Sequence, residues 1–399
     1  MIGLWLLVAW AAQAPTPAPE ARAQDVPPKK RVVSLADDFV SVSRMPVVEA
    51  LLVDPNRLAR AAPGAWKDFD PARITDRATV ALLDMARRDI LRGNFHGALS
   101  STLTLLRREP DFPPALHMSG ILYYRLQRYG DSAVTLRRYL EVAPTRVGDT
   151  RVLGHDLYTL GRYAEARAHY ERVLAAAPDD VEARRGLALS VWREGDAARA
   201  LSELDAVLAR EPRNDEAWGW KAQILFDAGD DVAALEAARR ASELDPSDPR
   251  TWFLLARLHA EAGRDEEAAR AQARFDELSA KVQALRVAER ALLQSPDDVA
   301  RAVDVLDCQR RLGDRRRLSA GLEQLRAFGS DACAVQRALL DALVDLGRAA
   351  EGAPVAKALR RCVREELDGW RALARYYAVA GDASDAAYAA ERARALEGR

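Results

Sequence analysis

Glycine returns every 34 residues through the middle of this chain, at Gly93, Gly161, Gly195, Gly229 and Gly263, with Gln127 filling the one gap in the series. Proline keeps the same interval at Pro110, Pro144, Pro178, Pro212 and Pro246. Small residues recur in two more columns, Ala98, Ser132, Ala166, Ala200, Ala234 and Ala268, and Ala86, Gly120, Gly154, Ala188, Ala222 and Ala256. Four independent columns holding one period over six units define a repeat array, in which each unit buries its apolar face against its neighbours.

Each column has a physical cause. The glycine ends a first helix, since the residue just past a helix end often adopts a left-handed conformation that glycine tolerates without strain. The small residues stand where two helices cross, and larger side chains would hold the axes apart. The proline cannot continue the second helix. Two positions later comes Asp180, Asn214 or Asp248, expected to cap the next first helix. The unit is a helical hairpin.

The motif resembles that of tetratricopeptide repeat proteins, whose unit carries Trp-x2-Leu-Gly-x2-Tyr followed by Ala, an aromatic and Pro. Trp218, Ala222, Gly229, Ala234 and Pro246 occupy those positions in one unit, and Trp252, Leu255, Ala256, Gly263 and Ala268 in the next. The resemblance implies an all-α fold, an α-solenoid of stacked helix-turn-helix repeats forming a right-handed superhelix, with the first helix of each unit lining the concave face. Residues 76–282 are read as six regular repeats.

Beyond them the register slips once. Gly263 to Gly313 is 50 residues, which is 34 plus 16, after which Gly313, Gly347 and Gly381 resume the step of 34. No Gly or Pro occurs from Arg264 to Ser295. The stretch 283–298 is therefore read as a lengthened second helix or an extra helix joining two arrays. Residues 299–399 hold degenerate repeats. The final unit matches well through Trp370, Leu373, Ala374, Tyr377, Gly381 and Ala386, but Leu318 and Gly352 stand at the small-residue position of the two before it.

The N-terminal run Ile2 to Ala12 is too short to span a bilayer and has the length of a signal-peptide core. Ala-x-Ala sites follow at 12–14 and 21–23, and Pro15 disfavours the first, so cleavage after Ala23 is expected, although no Lys or Arg precedes the core. This reading makes 1–23 a signal peptide and the protein exported, periplasmic or extracytoplasmic, with no transmembrane span in the mature chain. Residues 24–75 read as a Pro/Ala-rich tether and a short helical cap over the first repeat. Three cysteines occur, Cys308, Cys333 and Cys362. They are expected to be small buried helix residues, and in an exported chain one disulfide would leave an odd thiol.

The function classes narrow quickly. Lys and Arg number 59 against 60 Asp and Glu, finely interleaved, which argues against nucleic acid as a partner. There is no His-Glu-x-x-His, Gly-x-Ser-x-Gly or phosphate loop, and the scattered histidines offer no metal site, so no enzyme activity, cofactor or metal is expected. The resemblance places ligand-facing side chains at set positions of each first helix. The twelfth gives Tyr124, Tyr158, Trp192 and Phe226, the fifth gives His117, Arg151 and Arg185, the ninth His155, and the thirteenth Arg125 and Arg193. Aromatic rings here either pack between helices or contact a ligand, and arginines suit bidentate recognition of carboxylates. The expectation is a non-catalytic adaptor or assembly scaffold binding a protein or extended peptide, acidic in character, in its groove. The alternative is a structural accessory subunit of an envelope complex that binds through the convex face and the C-terminal repeats.

Overall fold

The computed structural model describes residues 76–142 and 147–398, which lie within one compact unit, 41–399. The leader and cap readings, 1–23 and 24–75, and Pro144 fall outside the described residues. The described chain pairs helices in order: α1 (Arg77–Arg92) with α2 (Phe95–Arg108), α3 (Pro113–Arg125) with α4 (Tyr129–Val142), and α5 (Val147–Thr159) with α6 (Tyr163–Ala176). Next come α7 (Val181–Arg193) with α8 (Ala197–Arg210), α9 (Asp215–Ala228) with α10 (Asp231–Leu244), and α11 (Pro249–Glu261) with α12 (Asp265–Gln294). The last three pairs are α13 (Val299–Leu312) with α14 (Arg315–Ala327), α15 (Cys333–Asp345) with α16 (Ala353–Cys362), and α17 (Leu367–Ala380) with α18 (Ala383–Glu397). No strand occurs among the described residues. The architecture is an all-α solenoid of stacked hairpins.

The punctuation works as its chemistry requires. The glycine column takes left-handed backbone, with φ of +76° at Gly161 and +85° at Gly229. Gln127 is forced to follow at φ +58°, the one non-glycine residue with positive φ among those described. Asp180 and Asn214 cap their helices by accepting from the backbone N–H of Ala183 and Ala217, and Asp248 accepts from that of Arg250. A second set of caps follows the glycine directly. Asp196, Asp230 and Asp382 accept from Arg199, Ala233 and Asp385, so a Gly-Asp pair ends one helix and starts the next.

The small-residue columns are sealed through the regular units, with Ala98, Ala166, Ala200 and Ala234 at 0% exposure, and only Ala268 at the start of the long helix is half-buried. The room they leave is used by large neighbours. Tyr170 of α6 is buried in the space above Gly154 and Gly186, and a Cβ at Gly186 would collide with its ring. The tryptophan column has a polar reason too. The indole N–H groups of Trp218 and Trp252 each donate over 3.0 Å to the carbonyl of the preceding Pro212 and Pro246, and Arg184 reaches the Pro178 carbonyl in the same way. These bonds clamp each turn, whose carbonyls no helix satisfies, onto the hairpin that follows.

The register slip resolves as one helix. α12 runs unbroken for 30 residues, about 45 Å at 1.5 Å per residue. Its first half packs on α11 through Phe275 against Phe253, ring centroids 5.3 Å apart. Its second half supports α13, where Arg301 donates to the Ala291 carbonyl. Ala271, Leu278, Leu285 and Leu292 are buried along it. The stretch 283–298 is thus chiefly the lengthened second helix of the sixth unit.

The C-terminal irregularity is local. A 3-10 turn, Ala349–Glu351, and a helix of only 10 residues, α16, replace the usual second helix, and a Cβ at Gly352 between them would collide with the Tyr376 ring. Cys333, the first residue of α15, and Cys362, the last of α16, form a disulfide with Cα atoms 5.6 Å apart. Cys308 remains a free, half-buried thiol. The expectation of three small buried helix residues therefore fails for two of them, for a simple reason. The start and the end of an antiparallel hairpin are neighbours, which brings the two sulfurs together.

Candidate functional site

Consecutive first helices touch one another directly, as α3 with α5, α5 with α7, α7 with α9 and α9 with α11. Second helices pack mainly on first helices, so the first-helix row has the tighter radius and lines the concave side. The sequence-derived site residues all lie on this row.

Three of the four aromatic rings at the twelfth position are sunk between helices. Tyr124 and Phe226 are 1% exposed and Tyr158 is buried. Tyr124 meets His155 edge-on at 5.2 Å and Tyr129 at 5.8 Å. Tyr158 packs on Tyr163, and Phe226 lies under the Arg257 guanidinium, 4.7 Å from its ring. Trp192 differs. It is half-buried and contacts Trp220 of the next first helix at 6.0 Å. Arg250 stands over the Trp220 ring, 5.4 Å from its centroid. Trp220 and Arg250 were not among the sequence-derived residues. The signal for them is that neighbouring first helices touch, which brings side chains from adjacent units onto one seam.

The basic residues follow a rule of their own. At the fifth position, each side chain crosses to the start of the next first helix and meets a carboxylate there. His117 Nε2 lies 2.9 Å from Asp149. Arg151 donates from one nitrogen to both oxygens of Asp180 at 2.9 Å. Arg185 is held between Glu182 of its own helix and Glu216 of the next unit. A carboxylate in the first turn of a helix is already favoured by the helix dipole, so each pair ties one unit to the dipole of the following one. Such pairs leave the groove locally neutral, a belt of alternating charge. Of the remaining cations, Arg125 stacks over Phe95 at 5.5 Å, and burial pushes its pKa down. Arg193 donates to the Tyr163 hydroxyl over 2.7 Å and covers that ring at 5.0 Å.

Beside the aromatic row lies a polar pair, a buried Asp156 and a half-buried His155. Asp156 is fully buried, and burial raises its carboxyl pKa to about 8, against the opposing effect of a hydrogen bond with Ser132. The adjacent His155 moves the other way, its pKa lowered to about 4 first by burial and then by the nearby Arg185. At neutral pH both are uncharged, as the low-polarity interior demands. Among the described residues no group of three or more His, Cys, Asp or Glu could hold a metal ion. No described helix is long and apolar enough to cross a membrane.

Stacked hairpins around a concave row of first helices define the class, an α-solenoid. The tetratricopeptide repeat family model matches residues 151–206, 188–249 and 233–281, so this part of the chain is built of tetratricopeptide repeats. No curated protein sequence matches it. Similar solved structures include MamA (residues 41 to the end) from Desulfovibrio magneticus RS-1, at 18% identity over 42% of this chain and 94% of that one, with a TM-score of 0.38. PilF of Pseudomonas aeruginosa aligns at 18% identity over 51% of this chain and 92% of that one, TM-score 0.43. PilW, described as a type IV pilus biogenesis factor, aligns at 18% identity over 50% and 93%, TM-score 0.45.

Proposed function

We propose that this protein is a non-catalytic adaptor that binds an extended segment of a partner protein along its concave groove, centred on Trp192. The observation that carries the reading is the half-buried Trp192, paired with Trp220 at the seam between α7 and α9. A rigid aromatic surface beside an arginine is the composition that dominates protein interfaces. Flanking this seam, the Arg151–Asp180 and Arg185–Glu216 pairs offer both donors and acceptors to a partner backbone. Carboxylates of the partner would have to share these arginines with their internal partners, so the acidic preference is modest, and apolar anchoring supplies most of the affinity. His117, Tyr124, Arg125, His155, Tyr158, Arg193 and Phe226 shape and support the groove behind that contact.

The working place of the adaptor is the cell envelope. The Cys333–Cys362 disulfide supports this, since such bonds persist in oxidising compartments, and so does the apolar leader-like run Ile2 to Ala12. Affinity capture from membrane and soluble fractions with wild type and Trp192→Ala tests the reading, with circular dichroism to check that the variant is folded. A partner lost from the folded variant supports groove recognition. A partner retained by Trp192→Ala but lost on removal of the units after residue 298 moves the interface to the C-terminal repeats.

A further inference from the structure

The second array does not continue away from the first. α14, the second helix of the seventh unit, touches α1, the first helix of the first unit. Near its far end, Gln324 Nε2 donates to the backbone carbonyl of Arg92 at the end of α1, over 3.3 Å and across 232 positions of sequence. At its near end, Arg316 donates to Asp215, the first residue of α9, over 3.0 Å and across 101 positions. One helix thus reaches the first and the fifth first-helices of the array, while α3, α5 and α7 stand between those two along the chain. A helix that touches two separated members of a curved row spans the row like a chord. A third contact lies beside it, Arg92 with Asp297 at 3.8 Å, in the turn that follows α12.

The register slip explains how this comes about. Sixteen residues added to one helix carry the chain about 24 Å further before the next hairpin begins, so the later units start from a displaced point. The three arginines opening α14 then divide their work. Arg315 donates to the Asp345 and Leu346 carbonyls of its own array, Arg317 pairs with the helix cap Asp314, and Arg316 crosses to the first array.

We propose that α14 is a releasable strap across the concave groove, held closed through Arg316–Asp215 and the Arg92 contacts. Its named holding contacts are polar, and three of the five side chains that make them are exposed, Arg316 at 57%, Arg92 at 45% and Asp297 at 76%, while Gln324 is half-buried. Exposed pairs of this kind are weak and screened by salt, so closure is reversible. When the strap opens, the seam of α7 and α9 is freed from the side on which Asp215 stands. The inference concerns the shape of the chain and holds whether or not the groove binds a partner.

Small-angle scattering of the full chain tests it, comparing wild type, Arg316→Glu, and Arg316→Glu combined with Asp215→Lys. The expected result is a larger radius of gyration and maximum dimension for Arg316→Glu at low salt, returned to wild-type values by the double charge reversal. Identical curves for wild type and Arg316→Glu would overturn the strap, and so would an expansion that the reversal fails to correct. Should Arg316→Glu lose helical signal, wild type alone decides between roughly 0.05 and 0.5 M salt, where screening lengths differ several-fold. Expansion at high salt supports the strap; an unchanged curve removes it.

Discussion

The Ser132 hydroxyl lies 2.6 Å from Asp156 Oδ2 and 2.9 Å from the Gly120 carbonyl oxygen. A serine hydroxyl carries one proton, and both neighbours are acceptors when the carboxylate is charged. The arrangement closes when Asp156 is protonated, donating to Ser132 while Ser132 donates to Gly120. The other carboxyl oxygen, Oδ1, is buried and has no hydrogen-bond partner, which would be costly for a charged group. Ser132 is the one serine in a column otherwise filled by alanine, and its hydroxyl serves this contact between units.

A pH dependence follows. The folded-state pKa of Asp156 is about 8 against an ordinary 3.8, so the folded chain holds a proton that the unfolded chain releases above about pH 4. The contribution of this group to stability is fully present below pH 4 and is lost as pH rises toward 8. His155, with its pKa lowered to about 4, has the opposite slope below 6.5, so the two partly cancel there and Asp156 acts alone from 6.5 to 8. Asp156→Asn copies the protonated acid. It should melt close to wild type near pH 4 and above it at pH 7.5, by an amount on the order of a few kcal/mol, since each pKa unit is about 1.4 kcal/mol. Thermal melts of both proteins across this range provide the check, and parallel profiles would show that Asp156 is ionised in the fold.

Gln127 holds a left-handed backbone conformation that every other unit assigns to glycine. A residue with a Cβ is disfavoured there by roughly 1–2 kcal/mol, offset in part by the greater freedom that glycine loses on folding. Gln127→Gly should therefore stabilise the second unit by about 1 kcal/mol. Denaturant melts measure it, with hydrogen exchange of α3 and α4 showing that the gain is local.

The disulfide closes a segment with a sequence separation of 29, for which chain-entropy arguments give about 3.6 kcal/mol. Reduction should loosen α15 to α18 before the regular units, because stability in repeat arrays is a sum of local and nearest-neighbour contributions. Thiol counting in denaturant should find one reactive group, Cys308, before reduction and three after. Three groups without reductant would exclude the bond.

The legible part of the sequence was whatever a local rule controls. Glycines, prolines and caps such as Asp180 act within a few residues of themselves, so the period of 34 carried the hairpins and the solenoid. The partners of the groove cations were harder to see. Arg151 and Arg185 find their carboxylates 29 and 31 positions ahead, at Asp180 and Glu216, and only the contact between neighbouring first helices brings them together. The burial of Tyr124 and Phe226 against the partial exposure of Trp192 was beyond reach for the same reason, since one column holds all three. The Arg316–Asp215 closure lies further still from any local rule. It depends on the rotation accumulated over several units and on the length of α12.

Photo-crosslinking gives the most direct test of the proposed partner site in the groove at Trp192. A benzoylphenylalanine is placed at position 192 in one protein and, in another, at Val232, which is 83% exposed on the second helix α10. After irradiation in envelope fractions, a specific protein adduct is expected from position 192 and none from position 232. An adduct from position 232 with none from 192 would contradict it and place recognition on the convex face.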